Sequence, residues 1–339
     1  MKSAIYYGKE NIKIEEKPLP SVGENDVLIK NIYSSICGTD IAVFKHGPGT
    51  GHKIEVGGEF GHETVSRVVK VGENITEFSV GDIVYPYPRF AKGNPKKAGT
   101  IGGFSEYILI PNAKINHSLY PVPPEITTKT ACLIEPFTVG CRAARRSLVK
   151  SGENAVVFGC GTIGIAAAIS LKYFGCNKVM ICDLSDFRLN IAKELGFEVC
   201  NMQKDSFEEK AAAVFGKSVG LGGKECPNAD IFIDAAGAES VLDTFIECGK
   251  IGSRIVLVAV NNAIRQLDLL HLTYAQKAII GSGGYMPEDV YDVMEIMKNG
   301  KWDIEKIITD EFPIERLSEA IVKAGDYEKS FNVVIDLEQ

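Results

Sequence analysis

The chain has 339 residues, of which 45% are hydrophobic and 24% charged, and a formal net charge of -7. That length allows two domains with sizeable cores, and the acidic balance argues against nucleic acid or an anionic membrane surface as a general partner. No apolar run approaches the ~20 residues of a membrane span, and the N-terminus opens directly on a strand-like pattern, so a cytoplasmic protein is expected.

Taken in order, residues 1–85 read as β-rich. Ile12 and Ile14 alternate with charged residues, Val27 to Lys30 and the Val-rich Thr64 to Val71 are strands, and Ile83 to Tyr85 follows a Gly-Asp turn. Residues 86–103 carry three Pro and four Gly and read as a loop. Its Arg89, Lys92, Lys96 and Lys97 are expected to form a solvated basic segment rather than a phosphate site. Phe104 to Ile110 returns to strand. From Thr127 the period becomes helical, over 128–133 and 139–148. Strands and helices then alternate at 155–158, 162–174, 178–182, 186–195, 230–234, 239–248 and 254–260, the pattern of a parallel, doubly wound sheet. Pro287 opens another helix, and a last helix around Leu317 to Ala324 precedes the strand Phe331 to Leu337. The expected architecture is α/β: a doubly wound nucleotide-binding unit, residues 136–285, inserted into a β-rich domain of residues 1–135 and 286–339.

The most informative stretch runs from Ala155 to Asp183. Val156 to Phe158 is a buried strand, Gly159, Gly161 and Gly164 form Gly-x-Gly-x-x-Gly, and an apolar helix leads to a second strand ending at Asp183. Gly159 permits the tight turn, Gly161 lets a pyrophosphate approach bare backbone, and Gly164 lets helix and strand pack closely. The helix N-terminus favours the anion. A carboxylate at Asp183 accepts hydrogen bonds from a ribose diol and repels a 2′-phosphate, which points to NAD rather than NADP.

The nine cysteines are dispersed and no Cys-x-x-Cys occurs, which excludes a zinc ribbon and argues against a disulfide framework. Several, such as Cys132, Cys160, Cys176 and Cys182, sit in apolar strands or helices and read as small hydrophobes; Cys37 is the exception, beside glycine in Ile36-Cys37-Gly38-Thr39-Asp40. His62 stands likewise in Gly61-His62-Glu63, and Glu135 in Ile134-Glu135-Pro136 adds a carboxylate within an apolar stretch. A thiolate, an imidazole and a carboxylate suit a catalytic zinc with an open position. Spacing alone leaves this balanced against a core thiol, a loop histidine and a helix-start carboxylate.

Together these motifs resemble the zinc-containing medium-chain alcohol dehydrogenases, and within them the sorbitol (polyol) dehydrogenase branch. Cys-Gly-Thr-Asp at 37–40, Gly-His-Glu at 61–63, Gly-Gly-Phe-Ser-Glu-Tyr at 102–107, Glu-Pro at 135–136 and Gly-Cys-Gly-Thr-Ile-Gly at 159–164 carry the resemblance in order along the chain. It implies a GroES-like catalytic domain around a Rossmann domain, one catalytic zinc, NAD, and a small-molecule alcohol as substrate in a homodimer or homotetramer. It implies Cys37 and His62 as zinc ligands, with Glu63 and Glu135 ligating directly or through water. Asp40 then orients the metal-bound imidazole, and Thr39 receives the substrate proton. Gly159, Gly161, Thr162, Ile163, Gly164, Asp183, Arg188 and Thr138 become cofactor contacts. Relatives often carry four cysteines for a structural zinc; residues 89–99 here contain none, so no structural zinc is expected. A histidine five residues after the ligand cysteine is replaced by Ala42, with His46 as a candidate substitute. The implied activity is hydride transfer between a secondary alcohol and NAD. Sugar-alcohol phosphates and cyclitols are the alternative substrates, and a metal-free NADPH reductase or a non-enzymatic NAD-binding protein are the rival classes.

Overall fold

The computed structural model describes residues 1–49, 51–91, 101–261 and 264–339, so Lys92, Lys96 and Lys97 lie outside the described residues. The chain forms two compact units, Met1–Glu135 with Met297–Gly300 and Ile304–Gln339, and Pro136–Ile296 with Lys301–Asp303.

The first unit is built on a seven-stranded sheet in the order Ile308–Pro313, Asn332–Asp336, Val27–Ser35, Glu63–Val71, Ile83–Pro86, Leu119–Pro121, with Tyr107–Ile110 also paired to Val27–Ser35. A hairpin of Lys2–Gly8 and Asn11–Glu16 flanks it. Val27–Ser35 is nine residues of mostly buried side chains, as a strand with three partners must be. Two apolar clusters make the core, one around Phe44, Phe60 and Phe104, the other around Val27, Val68 and Ile110. Between strand and loop runs a buried polar staple. Asn31 donates to the carbonyls of Gly103 (3.1 Å) and Ser105 (2.7 Å) and accepts from the Ser66 hydroxyl (2.6 Å). Each member is satisfied, so the staple fixes the 103–105 segment without a desolvation penalty.

Register positions the chemistry. Ser35 pairs with Glu63, so Cys37, just past one strand, and His62, just before the other, reach the same end of the sheet. Between them lies a helix, Gly38–His46, inside the region expected to be β-rich. Its start is encoded locally by a capping box: the Cys37 thiolate position accepts from Thr39 N–H (3.5 Å), and Asp40 Oδ2 accepts from Cys37 N–H (3.0 Å).

The second unit carries a six-stranded parallel sheet in the order Glu198–Asn201, Lys178–Asp183, Asn154–Phe158, Ile231–Asp234, Arg254–Leu257, Ala278–Gly281. Numbered within this sheet that order is 3-2-1-4-5-6, the dinucleotide-binding topology with its crevice beside the first strand. Sequence periodicity did not reveal the short edge strand Glu198–Asn201, the helix Phe207–Phe215, or the small hairpin of Lys217–Val219 and Glu225–Pro227. The helices Ile134–Arg146 and Thr162–Tyr173 approach closely at Gly140, where a Cβ would stand 2.5 Å from Ala166 Cβ and 2.6 Å from Ala167 N. Residues 286–296, expected with the first domain, fold with the second unit. The helix Pro287–Lys298 is held there by Arg145, whose guanidinium pairs with the fully buried Asp289 (2.8 Å) and with Asp292.

Candidate metal and dinucleotide sites

In the first unit, donor atoms of Cys37, His62 and Glu63 all lie within 4.8 Å of one another. Each arrives by a distinct device. Cys37 is the N-cap of Gly38–His46, and Glu63 is the first, buried residue of its strand. His62 follows Gly61, which has φ +93° and packs on Phe104 so closely that a Cβ would meet the ring at 2.7 Å. No side chain larger than hydrogen fits there, which fixes the turn that presents His62.

Electrostatics favour a cation at this trio. Burial pushes the Cys37 thiol well above its ordinary range, and Glu63, Asp40 and Glu135 push it further in the same direction. Burial raises Asp40 to about 7, with Glu63 adding to it and His62 and the Cys37 N–H opposing. A buried thiol facing carboxylates is poorly stabilised by protein alone, and a divalent cation inverts that preference by drawing out the thiolate. The donor set of one sulfur, one imidazole and one carboxylate therefore fits zinc. Glu135, 7% exposed near the start of Ile134–Arg146, stands outside the trio while its charge still acts on Cys37. The Thr39 hydroxyl is buried and, among the described residues, makes no hydrogen bond.

In the second unit, the chain turns at Gly159, φ +99°, where a Cβ would meet the Ala235 carbonyl at 2.9 Å. Gly161 is the N-cap of Thr162–Tyr173 and supplies no side-chain bond, so the first N–H groups of that twelve-residue helix have no capping side chain. A Cβ at Gly164 would lie 1.8 Å from Gly159 O. Asp183 is held by three backbone donors, Cys160 N–H at 2.6 Å, Leu184 N–H at 2.7 Å and Ser185 N–H at 2.9 Å. It thus joins the glycine loop to the end of the second strand. Arg188 follows on the helix Asp186–Glu194, with Nη1 3.7 Å from where a Gly161 Cβ would be.

Family comparison matches the description "Alcohol dehydrogenase GroES-like domain" over residues 23–124 and "Zinc-binding dehydrogenase" over 162–299. The chain belongs to the zinc-containing medium-chain alcohol dehydrogenases. Within this family the chain is 29% identical to the sorbitol dehydrogenase of Rattus norvegicus over 340 residues, covering 95% of this chain and 92% of the rat protein. It is 29% identical to the (R,R)-butanediol dehydrogenase of Bacillus subtilis over 354 residues, covering 97% of both. The crystal structure of 2R,3R-butanediol dehydrogenase from Bacillus subtilis superposes with a TM-score of 0.84 at 26% identity, covering 99% of each chain.

Two features of this dehydrogenase escaped sequence reading. His46, the candidate substitute for the missing proton-relay histidine, ends the helix Gly38–His46 and is exposed, about 10 Å along the helix axis from Thr39 and so away from the metal trio. His52 lies beside it instead, its ring edge-on to His62 with centroids 5.8 Å apart. The pair Gly51-His52 repeats Gly61-His62 ten residues earlier, which was the available signal. Gly140 is the second feature, since it seats the helix bearing the fully buried Thr138 on the glycine-loop helix.

Proposed function

We propose that the chain is a zinc-dependent oxidoreductase that transfers a hydride between a secondary alcohol of a polyol or sugar alcohol and NAD. The observation that carries this is the Cys37–His62–Glu63 trio, a zinc-type donor set in a chain that also holds a complete glycine loop with its terminal Asp183. Similarity over nearly the whole chain to a sorbitol dehydrogenase and a butanediol dehydrogenase supports the substrate class.

Cys37, His62 and Glu63 would hold one zinc, with Glu135 as the neighbouring carboxylate. When bound, zinc supplies a Lewis acid for a hydroxyl oxygen, and NAD a hydride acceptor. Asp40 orients the His62 ring and fixes its tautomer. Thr39 Oγ1, buried without a hydrogen bond among the described residues, accepts the proton leaving the substrate hydroxyl and passes it outward. The backbone of Gly159 to Gly164, with Thr162 and Ile163 opening the helix, receives the pyrophosphate. Asp183 accepts from the adenine-ribose diol and disfavours a 2′-phosphate, which selects NAD; Arg188 flanks the ribose and Thr138 the nicotinamide. The reading extends to a cytoplasmic homodimer or homotetramer.

The test is a panel of polyols, phosphorylated polyols, inositols and simple secondary alcohols with zinc-loaded protein, followed by NADH absorbance. Turnover with a polyol and NAD is expected. Turnover with none, or only with NADP, overturns the reading.

A further inference from the structure

His52 has no task in the chemistry above, yet it shares a carboxylate with the metal trio. Asp40 Oδ1 lies 3.9 Å from His52 Nε2 and 3.9 Å from His62 Nδ1. One donor atom from each of these three residues lies within 4.8 Å of the others. Asp40 is fully buried; its Oδ2 accepts from Cys37 N–H, and its Oδ1 accepts no hydrogen bond among the described residues. A separation of 3.9 Å is too long for a hydrogen bond. It is near the spacing of donors that share an ion, since ligands about 2.1 Å from one zinc at tetrahedral angles stand about 3.4 Å apart. Shifts of a few tenths of an ångström close the difference. The loop that carries His52 is seated tightly, because a Cβ on Gly51 would meet Thr39 O at 2.5 Å and Thr39 Cβ at 2.8 Å.

We propose that Asp40, His52 and His62 form a second divalent-cation site beside the Cys37–His62–Glu63 set. Two imidazoles and a carboxylate are a donor set for zinc and other divalent first-row ions. The inference rests on reading Cys37, His62 and Glu63 as the first site. With Nδ1 directed at Asp40, the other ring nitrogen serves the trio, so His62 bridges the two positions. The second site has no thiolate and therefore fills after the first, at excess metal. Filling it displaces the ring proton of His62 to solvent, so that the imidazolate ligates through both nitrogens, and engages Asp40 as a ligand.

The full chain is stripped with chelator and titrated with cobalt(II), and separately equilibrated with limiting and excess zinc before metal analysis. The first cobalt equivalent is expected to give the thiolate-to-cobalt charge-transfer band of Cys37. A second is expected to bind without enlarging that band, taking the total from about one to about two ions per chain. His52→Gln is expected to hold the total at about one at excess metal, with the charge-transfer band unchanged. A band with no second ion in the unaltered chain, or a second ion retained by His52→Gln, overturns this proposal alone. Absence of the band at the first equivalent overturns the Cys37 reading and this proposal with it.

Discussion

Replacing Gly161 by alanine separates cofactor binding from folding. Gly161 has φ -88° and ψ -177°, an extended conformation open to any residue, and among the described residues other than its chain neighbours only Arg188 Nη1, at 3.7 Å, comes within 4 Å of an added Cβ. Stability should therefore fall only by the weaker N-cap preference of alanine, about 0.5–1 kcal/mol, or a melting shift of about 1–4 °C. On the proposed reading of this loop, the methyl group occupies the surface that the pyrophosphate would touch. Losing one charge-assisted backbone hydrogen bond there costs about 1.5–3 kcal/mol, a rise of roughly 10- to 150-fold in the Kd for NADH. Gly164→Ala is the contrast, because its Cβ would sit 1.8 Å from the Gly159 carbonyl oxygen and must displace backbone, at about 1–3 kcal/mol or more of stability. Thermal unfolding and fluorescence titration with NADH distinguish the two. A Gly161→Ala protein that binds NADH with unchanged Kd refutes the assignment of this loop to the pyrophosphate.

Other outcomes follow from the same geometry. Thr39→Val should lower kcat by about 10²–10⁴-fold with little change in zinc content, if its hydroxyl carries the substrate proton; unchanged kcat removes it from the path. Asp183→Ser should weaken NAD by about tenfold and admit NADP, read from the ratio of kcat/KM for the two cofactors. Because Asp183 also accepts three backbone N–H bonds, some stability should be lost as well. Burial lowers Lys277 from 10.5 to about 8, although its ammonium also donates to the carbonyls of Phe245 and Ile246. A depressed lysine destabilises the fold fully below its folded value and is relieved as pH rises towards its unfolded one. The stability of the unaltered protein relative to Lys277→Met should therefore improve between about pH 8 and 10.5; a flat difference in chemical denaturation across that window excludes the shift.

The Gly159–Asp183 unit was legible because strand, turn, helix and second strand are contiguous, so local periodicity and glycine spacing carry the whole motif. The metal trio was legible only as motifs. What joins Cys37 to His62 and Glu63 is the pairing of Ser35 with Glu63, a register set by long-range packing. The helix Gly38–His46 was hidden because its nine residues are too few for a clear period and its apolar run Ile41 to Phe44 imitates a strand. Val258 to Val260 made the opposite impression. They extend an apolar run, yet the strand stops at Leu257, and the N–H groups of Val258 and Ala259 both turn to the Asp234 carbonyl. The edge strand Glu198–Asn201 is four residues long and half polar, which leaves no alternation to read. His52 needed the tertiary seat of Gly51 on Thr39 before it meant anything.

Zinc content and NADH formation, followed in one preparation through chelation and zinc re-addition, test the central assignment most directly. Polyol oxidation should vanish as zinc falls from about one per chain, return on re-addition, and fail to return in Cys37→Ala. Full activity in protein shown to be free of metal contradicts the assignment of Cys37, His62 and Glu63.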